Sequence, residues 1–509
     1  MDQVKRERLT YACILLLAIC LYMAKPWEST LQAMDSAIHA RYALEVTRNG
    51  SLIPVLPIPK FFPENPEPYF NDHPFLPFFL VGHFMRFFGA NAWGARFLPS
   101  LFGVLNVGLI ITLSRKLSGY STSLFAGFAL LLSPLTLQFT ARFQLDPFLV
   151  FFTLLSFLFV FERRYFLAGV ASGLAVCFKS PVGWLILPTL FVFERFSLSF
   201  FKALIPAVIL PAILWGSANL ISHEPLLQDY WMRQVFGTAV GGRKLSDHSD
   251  WMTGFGILEH NLILPFLILS IAAIFNFVRT KSIKWVKIED RNALLVGTGF
   301  VIFWSLISMM RFKFPHYYLP GIPLAILFLL SLVKKTTVQL APILEKLLWV
   351  LAPLCALALL TLPIQTAPEG FPALKFFAAQ IQSEGTENDT LLFIENKEPY
   401  GTSGDYFVES AFYTGRKFYS AHCDNANASA LRIHPTWIMT SGAQPFECLD
   451  QVDQTLYPER YRFGNQYLLG KTPVTPQKIF DFTPQLRELK APVDGKASPL
   501  PIDIYYRYE

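Results

Sequence analysis

Charge is scarce in this chain. Only 16% of its 509 residues are Asp, Glu, Lys or Arg, against 53% hydrophobic and 15% aromatic, and the mean hydropathy is +0.38. That balance excludes an ordinary water-soluble globular protein, in which about a quarter of residues are charged. Internal repeats and low-complexity segments are also missing, which counts against a transporter built from paired halves. No small-residue cleavage site follows the first apolar stretch, so a cleaved signal peptide is not expected. His, Asp, Glu and Cys nowhere fall at a recognisable metal-ligand spacing. Cysteines number six: Cys13, Cys20, Cys177 and Cys355 lie in or beside apolar runs, and only Cys423 and Cys448 lie in polar sequence. That last pair reads as a disulfide if its segment faces an oxidising compartment, or else as two unrelated thiols.

Apolar runs supply what the composition implies. Lys5, Arg6 and Arg8 precede a first run over about 9–23, an uncleaved span with its N-terminus in the cytoplasm. Residues 24–96 are rich in proline and mixed in polarity, which suits an outer loop carrying short interfacial helices. Further runs follow at about 97–114, 121–138, 144–161, 165–178, 181–194, 203–221, 254–278, 292–310, 317–333 and 346–365. Since a crossing helix needs about 20 apolar residues, the runs at 165 and 181 are short, and the count is about 11 crossings, or 13 if the long loops hide two. Arg115 and Lys116, Arg163 and Arg164, Arg195 and Lys202, Lys281, Lys284 and Lys287, then Lys334 and Lys335 all fall on the side of Lys5. The formal charge of +6 therefore sets topology by the positive-inside rule and asks for no nucleic-acid partner. An odd number of crossings puts the remainder outside, where Asn, Gly, Ser, Asp and Pro increase. The expected organisation is a membrane domain over 1–365 with outer loop 24–96, and a soluble α/β domain over 366–509. Within the latter, 371–381 has helical periodicity, and 390–394, 436–439 and 461–468 look like strands.

On this topology the remaining ionisable residues gather on the outer face. The first loop carries Asp35, His39, Arg41, Glu45, Asp72 and His73; later turns carry Arg142 and Asp146, Lys179, Arg243, and Lys313 with His316 and Tyr317. Ionisable groups at a membrane edge are functional candidates. A mixed crown of acids and bases suits transfer of a group from an anionic lipid: cations stabilise charge developing on a leaving phosphate, and a carboxylate such as Asp35 serves an incoming hydroxyl as general base. Plainer readings stand beside these. Asp35 is then a solvated interfacial acid, Lys313 a headgroup anchor, Tyr317 a belt aromatic and Asp146, before Pro147, a helix cap. Asp72 and His73 are either a solvated turn or, with His248 or His260, part of a divalent metal site.

Five segments in order carry a family resemblance. They are Asp35-Ser36; Asn71-Asp72-His73-Pro74-Phe75, with Phe88-Gly89-Ala90-Asn91-Ala92-Trp93-Gly94-Ala95-Arg96 after it; Ala141-Arg142 with Asp146-Pro147; Phe178-Lys179-Ser180-Pro181-Val182-Gly183; and Lys313-Phe314-Pro315-His316-Tyr317. Together they resemble the GT-C superfamily of polyprenyl-phosphate-sugar glycosyltransferases, in the branch of the lipid A aminoarabinose transferases and, more distantly, the protein O-mannosyltransferases. The resemblance covers about residues 1–365; the tail matches only as a domain type. It implies a polytopic α-helical membrane protein of GT-C type with a C-terminal extracytoplasmic α/β domain, set in a bacterial inner membrane with its site on the periplasmic side. It implies Asp35 as catalytic carboxylate, Lys179 and Tyr317 as ligands of the lipid phosphate, and Asp72 with His73 at the place that holds a metal and a loop lysine in aminoarabinose transferases. Four positions depart from the pattern: Ser36 replaces a second acid, His73 replaces that lysine, Gln234 falls where a metal-binding histidine is expected, and Arg41 is displaced from the usual basic position.

The expected catalytic set is thus Asp35, Asp72 and Asp146, with Asp72 also the metal candidate. The expected substrate contacts are Arg41, His73, Arg142, Lys179, Arg243, Lys313, His316 and Tyr317. The expected partners are a polyprenyl-phosphate sugar, membrane lipid, and a lipid acceptor such as lipid A or a protein acceptor. A lipid flippase or transporter is the rival from another class; it would place polar residues at mid-membrane depth rather than at span ends.

Overall fold

The computed structural model describes residues 2–23, 34–49, 73–222, 226–240, 251–268, 290–310, 314–332 and 334–361, together with parts of the tail, chiefly 389–395, 417–422, 436–440, 459–463, 466–470 and 480–481. The chain divides into two compact units: Met1–Ser29 with Asn71–Thr366, and Thr30–Phe70 with Ala367–Glu509.

The first unit is helical. Its main helices are α1 (Gln3–Met23), α3 (Leu76–Phe88), α4 (Ala92–Ser118), α5 (Tyr120–Leu132), α6 (Pro134–Thr140), α7 (Asp146–Phe161), α8 (Tyr165–Phe178), α9 (Ile186–Glu194) and α10 (Leu198–Ser222). After these come α11 (Leu226–Asp229), α12 (Gly237–Val240), α13 (Trp251–Asn261), α14 (Arg291–Met309), α15 (Gly321–Ser331) and α16 (Lys334–Thr361). Among the described residues, α4, α10, α14 and residues 338–357 of α16 are each long and apolar enough to cross a membrane; α5 and α6, bent by 60°, make a fifth such element if counted as one. The run expected over 121–138 is therefore broken, and the cause is local. Pro134 disfavours helical backbone at Ser133, which sits at φ −60° and ψ 120°. Asn261 then takes up the freed groups, its Oδ1 accepting from Ser133 Oγ at 2.7 Å and from Leu135 N at 2.8 Å.

Ion pairs gather helix ends at one end of this unit. Arg115 at the close of α4 pairs with Glu7 of α1 at 2.6 Å, and Lys116 pairs with Glu162, just past α7, at 3.1 Å. Arg6 and the Tyr120 hydroxyl both bond to the buried Glu345 of α16, and Arg291 pairs with Glu194. Helix α7 runs 16 residues from this end, about 24 Å at 1.5 Å per residue, so Asp146 at its start lies near the opposite end.

Close helix contact is bought with glycine. Gly169 and Gly173 lie one turn apart on α8, facing α10, a small-residue pattern that lets membrane helices approach backbone to backbone. A Cβ on Gly169 would stand 2.0 Å from the Ala203 carbonyl oxygen.

In the second unit, α2 (Met34–Asn49) and a six-stranded sheet are described. The strands are β1 (Thr390–Glu395), β2 (Lys417–His422), β3 (Trp437–Thr440), β4 (Glu459–Phe463), β5 (Gln466–Gly470) and β6 (Phe480–Asp481), in the order β2-β1-β3-β5-β4-β6. β1 is parallel to both β2 and β3, with Leu391 opposite Trp437. Leu391 and Leu392, on opposite faces of β1, are both fully buried, the mark of a strand covered on both sides. The strand expected over 461–468 is two antiparallel strands, β4 and β5, with Phe463 opposite Gln466. β2 was not expected, because Lys417–His422 lacks a clear apolar alternation. Of the helix expected over 371–381, Phe377, Gln380 and Ile381 are described and helical.

Gly169→Ala is expected to destabilise the protein by about 1–3 kcal/mol through overpacking against backbone that cannot yield. Gly108→Ala, whose Cβ would meet only Leu15 at 3.8 Å, should be neutral. Thermal unfolding of the two variants in detergent checks the difference.

Candidate functional site

Three proline-marked turns and one irregular helix of the first unit come together around Lys179. α8 ends there because Pro181 holds Ser180 extended, at φ −162° and ψ 164°, and removes a backbone donor. The chain folds straight back: a Cβ on Gly183 would lie 2.6 Å from Ala175 Cβ, and Ser172 Oγ donates to the Gly183 carbonyl at 2.8 Å. Glycine is required by this close approach. Lys179, at the end of the helix, carries its side chain into the interior.

There its ammonium pairs with Asp146 Oδ1 at 2.5 Å, with both side chains buried at 9% and 1% exposure. Asp146 is the first residue of α7, and the cap position is Leu145, which makes no side-chain cap. The carboxylate thus serves the lysine. The same ammonium lies 5.7 Å from the centre of the Tyr317 ring, within the range of a cation–π contact. Tyr317 belongs to a 3-10 turn opened by Pro315, and His316 meets it edge to face at 4.6 Å.

A fourth element closes the site. Tyr230 opens a π-helical stretch, Tyr230–Phe236, an irregularity frequent at functional sites. Its hydroxyl donates to the Lys179 carbonyl at 2.8 Å, and its ring stacks on Trp215 at 5.0 Å. Trp215 in turn meets Phe75 at 6.2 Å. Burial, with a smaller push from the neighbouring Tyr317, raises the Tyr230 phenol well above its ordinary value, so it stays a donor. Sequence reading passed over Tyr230 and Trp215: the first stands in a loop among charged residues, the second in an apolar run, and each alone looks like a belt aromatic.

The other expected site residues divide by position. Arg142 lies in the turn before α7, and His73 just before α3; both are partly exposed. Asp35 and Arg41 are on α2, in the second unit, and the Asp35 side chain lies outside the described residues. Arg41 is buried and pairs with Glu45 at 2.6 Å. Burial lowers its guanidinium to about 10, with Glu45 opposing the shift, so it remains charged at neutral pH. Asp72, Arg243, Lys313, Cys423 and Cys448 lie outside the described residues. No group of three or more His, Cys, Asp or Glu that could hold a metal occurs among the described residues.

One of the resembling segments serves geometry rather than chemistry. Gly89 ends α3 at φ 106°, Asn91 caps α4 by accepting from Gly94 N at 2.9 Å, and a Cβ on Gly94 would strike the Gly89 carbonyl at 2.2 Å. Phe88 to Arg96 is therefore a helix elbow.

Residues 72–221 match the model of the family described as dolichyl-phosphate-mannose-protein mannosyltransferase. A protein from Aquifex aeolicus (strain VF5), described only as uncharacterized, is 24% identical over 334 residues, which is 62% of this chain; the chain spans 62% of that relative's length. Among solved structures, ArnT from Cupriavidus metallidurans bound to undecaprenyl phosphate is similar with a TM-score of 0.65 and 14% identity, covering 94% of this chain and 100% of ArnT. Arabinofuranosyltransferase AftD from Mycobacteria is similar with a TM-score of 0.53 and 12% identity, covering 93% of this chain and 40% of AftD. The chain has the GT-C fold, that of polytopic membrane proteins.

Asp146→Ala would leave the Lys179 ammonium buried without its carboxylate. The expected loss is about 3–5 kcal/mol, the usual result of removing one partner of a buried pair, read as a lower unfolding temperature in detergent.

Proposed function

We propose that this GT-C chain is an integral membrane glycosyltransferase that takes a sugar from a polyprenyl-phosphate carrier and transfers it, with inversion in one displacement, to lipid A or another envelope glycolipid. The reaction is placed at the periplasmic face of the inner membrane, in a catalytic domain over 1–365, with 366–509 as an extracytoplasmic domain that selects or covers the acceptor. The observation that carries this reading is the buried Lys179 ammonium, held between Asp146 and Tyr317 at the end of the bundle away from its cluster of basic helix ends. A cation kept out of water is costly unless something anionic meets it. In a fold shared with a structure bound to undecaprenyl phosphate, a lipid phosphate is the natural second partner.

The chemistry follows from charge. As the bond between the anomeric carbon and the phosphate oxygen breaks, negative charge grows on that oxygen. Lys179, with Lys313 and Arg243, stabilises it without needing to reorganise. Tyr317 covers the lysine and keeps water away, which strengthens the attraction. Asp35 orients the acceptor hydroxyl and takes its proton as the new bond forms. Arg41, His73, Arg142 and His316 contact the sugar or the phosphate at the rim, and Asp72 supports catalysis.

A second reading keeps the donor and changes the acceptor to protein Ser or Thr. The family match over residues 72–221 favours it. Mass spectrometry of envelope lipids and glycoproteins from cells with and without the protein separates the two acceptors.

Asp35→Asn is expected to cut sugar transfer by membranes at least about 100-fold, the lower end of what a general base contributes, while undecaprenyl phosphate still binds. Lys179→Met should lose both binding and transfer. Near-normal transfer by a well-expressed Asp35→Asn protein would overturn the assignment of the base.

A further inference from the structure

One residue along from Asp146, a small, mainly apolar cavity lies where α4, α5, α6 and α7 meet, with Asn106, Thr136 and Thr140 as its polar side chains beside Pro147. It has about 10 Å³ of room for the centre of a water-sized molecule, close to the minimum that one water needs. Asn106 of α4 is 2% exposed and Thr136 of α6 is 4% exposed. The Asn106 amide nitrogen, Nδ2, donates to the Pro147 carbonyl at 2.9 Å. Its amide oxygen, Oδ1, and the Thr136 hydroxyl have no hydrogen-bond partner among the described residues.

Two buried polar groups of complementary character in one cavity call for a shared partner. A carboxamide also has two ends of similar shape, and only the nitrogen end can donate to a carbonyl. The Pro147 carbonyl therefore takes the nitrogen end, which leaves Oδ1 facing the cavity and in need of a donor. We propose that the cavity is a binding site for a single water molecule, and that Asn106, locked by that water, is a positioning residue for the Asp146–Lys179 pair. The water donates to Asn106 Oδ1 and accepts from the Thr136 hydroxyl. The amide so oriented holds the Pro147 carbonyl, and the rigid proline ring passes that placement to Asp146 next to it. The inference rests on the proposed function, because the pair it positions is the one that meets the lipid phosphate.

The test measures the affinity of the full-length purified protein for undecaprenyl phosphate, alongside its unfolding temperature without lipid. Asn106→Leu is expected to weaken binding about tenfold and Thr136→Val, which keeps the shape and removes only the hydroxyl, about threefold. Thr136→Ser should restore wild-type affinity. The double variant should bind no more weakly than Asn106→Leu alone, because both residues act through one water. If Asn106→Leu does not fold, Thr136→Val and Thr136→Ser decide the matter. Wild-type protein that fails to bind the lipid overturns the proposed function and this inference with it. Wild-type protein that binds, with Thr136→Val binding equally well, overturns only the inference. Losses that simply add in the double variant overturn the shared water, as does a lower unfolding temperature with unchanged affinity.

Discussion

The bond between Lys179 and Asp146 is what the rest of the helical unit is arranged to hold. An ammonium and a carboxylate taken out of water together lose hydration that their mutual attraction only partly returns. Such a pair persists where neighbouring structure fixes it. Here α8 delivers the lysine at its last turn, α7 begins with the aspartate, Tyr230 holds the lysine's backbone carbonyl, and Tyr317 covers its charge. Four separated stretches of chain meet at one residue.

The pair is also suited to change partners. Asp146 neutralises the lysine while no other anion is present, and a phosphate brings more negative charge than one carboxylate. On the proposed function, an anionic headgroup takes over from Asp146 without leaving a bare cation in an apolar interior. The surrounding aromatics, Tyr317, Tyr230 and Trp215, add little charge of their own, and they exclude water, which makes every remaining charge count for more.

Proline and glycine do the mechanical part. Pro181 stops α8 at the lysine, Pro147 starts α7 at the aspartate, and Pro315 starts the turn that presents Tyr317. Gly183 lets the chain double back against α8, while Gly169 draws α10 against α8. In these three segments the charged or aromatic residue stands within two positions of the proline that aims it. That explains why short stretches of sequence could be read as site elements at all.

Much of this was legible from the chain alone. The apolar runs became helices, because a long unbroken apolar stretch has no other way to satisfy its backbone in lipid, and the basic clusters foretold which helix ends gather together. Lys179, Asp146 and Tyr317 were visible as polar residues at run ends beside proline. Other features depended on partners distant in sequence. The break at Ser133 is completed by Asn261; the single strand expected over 461–468 is two antiparallel strands; β2 is defined by pairing with β1 rather than by its own pattern. Tyr230 and Trp215 carry no signal of their own, since an aromatic in a loop or a span looks the same whether it faces lipid or a lysine. Local sequence determined where the chain stops, turns and hides from water, because those are properties of neighbouring residues. Which side chains meet was decided only by the tertiary packing, because a contact between positions 146, 179, 230 and 317 exists only when separate helices have closed on one another.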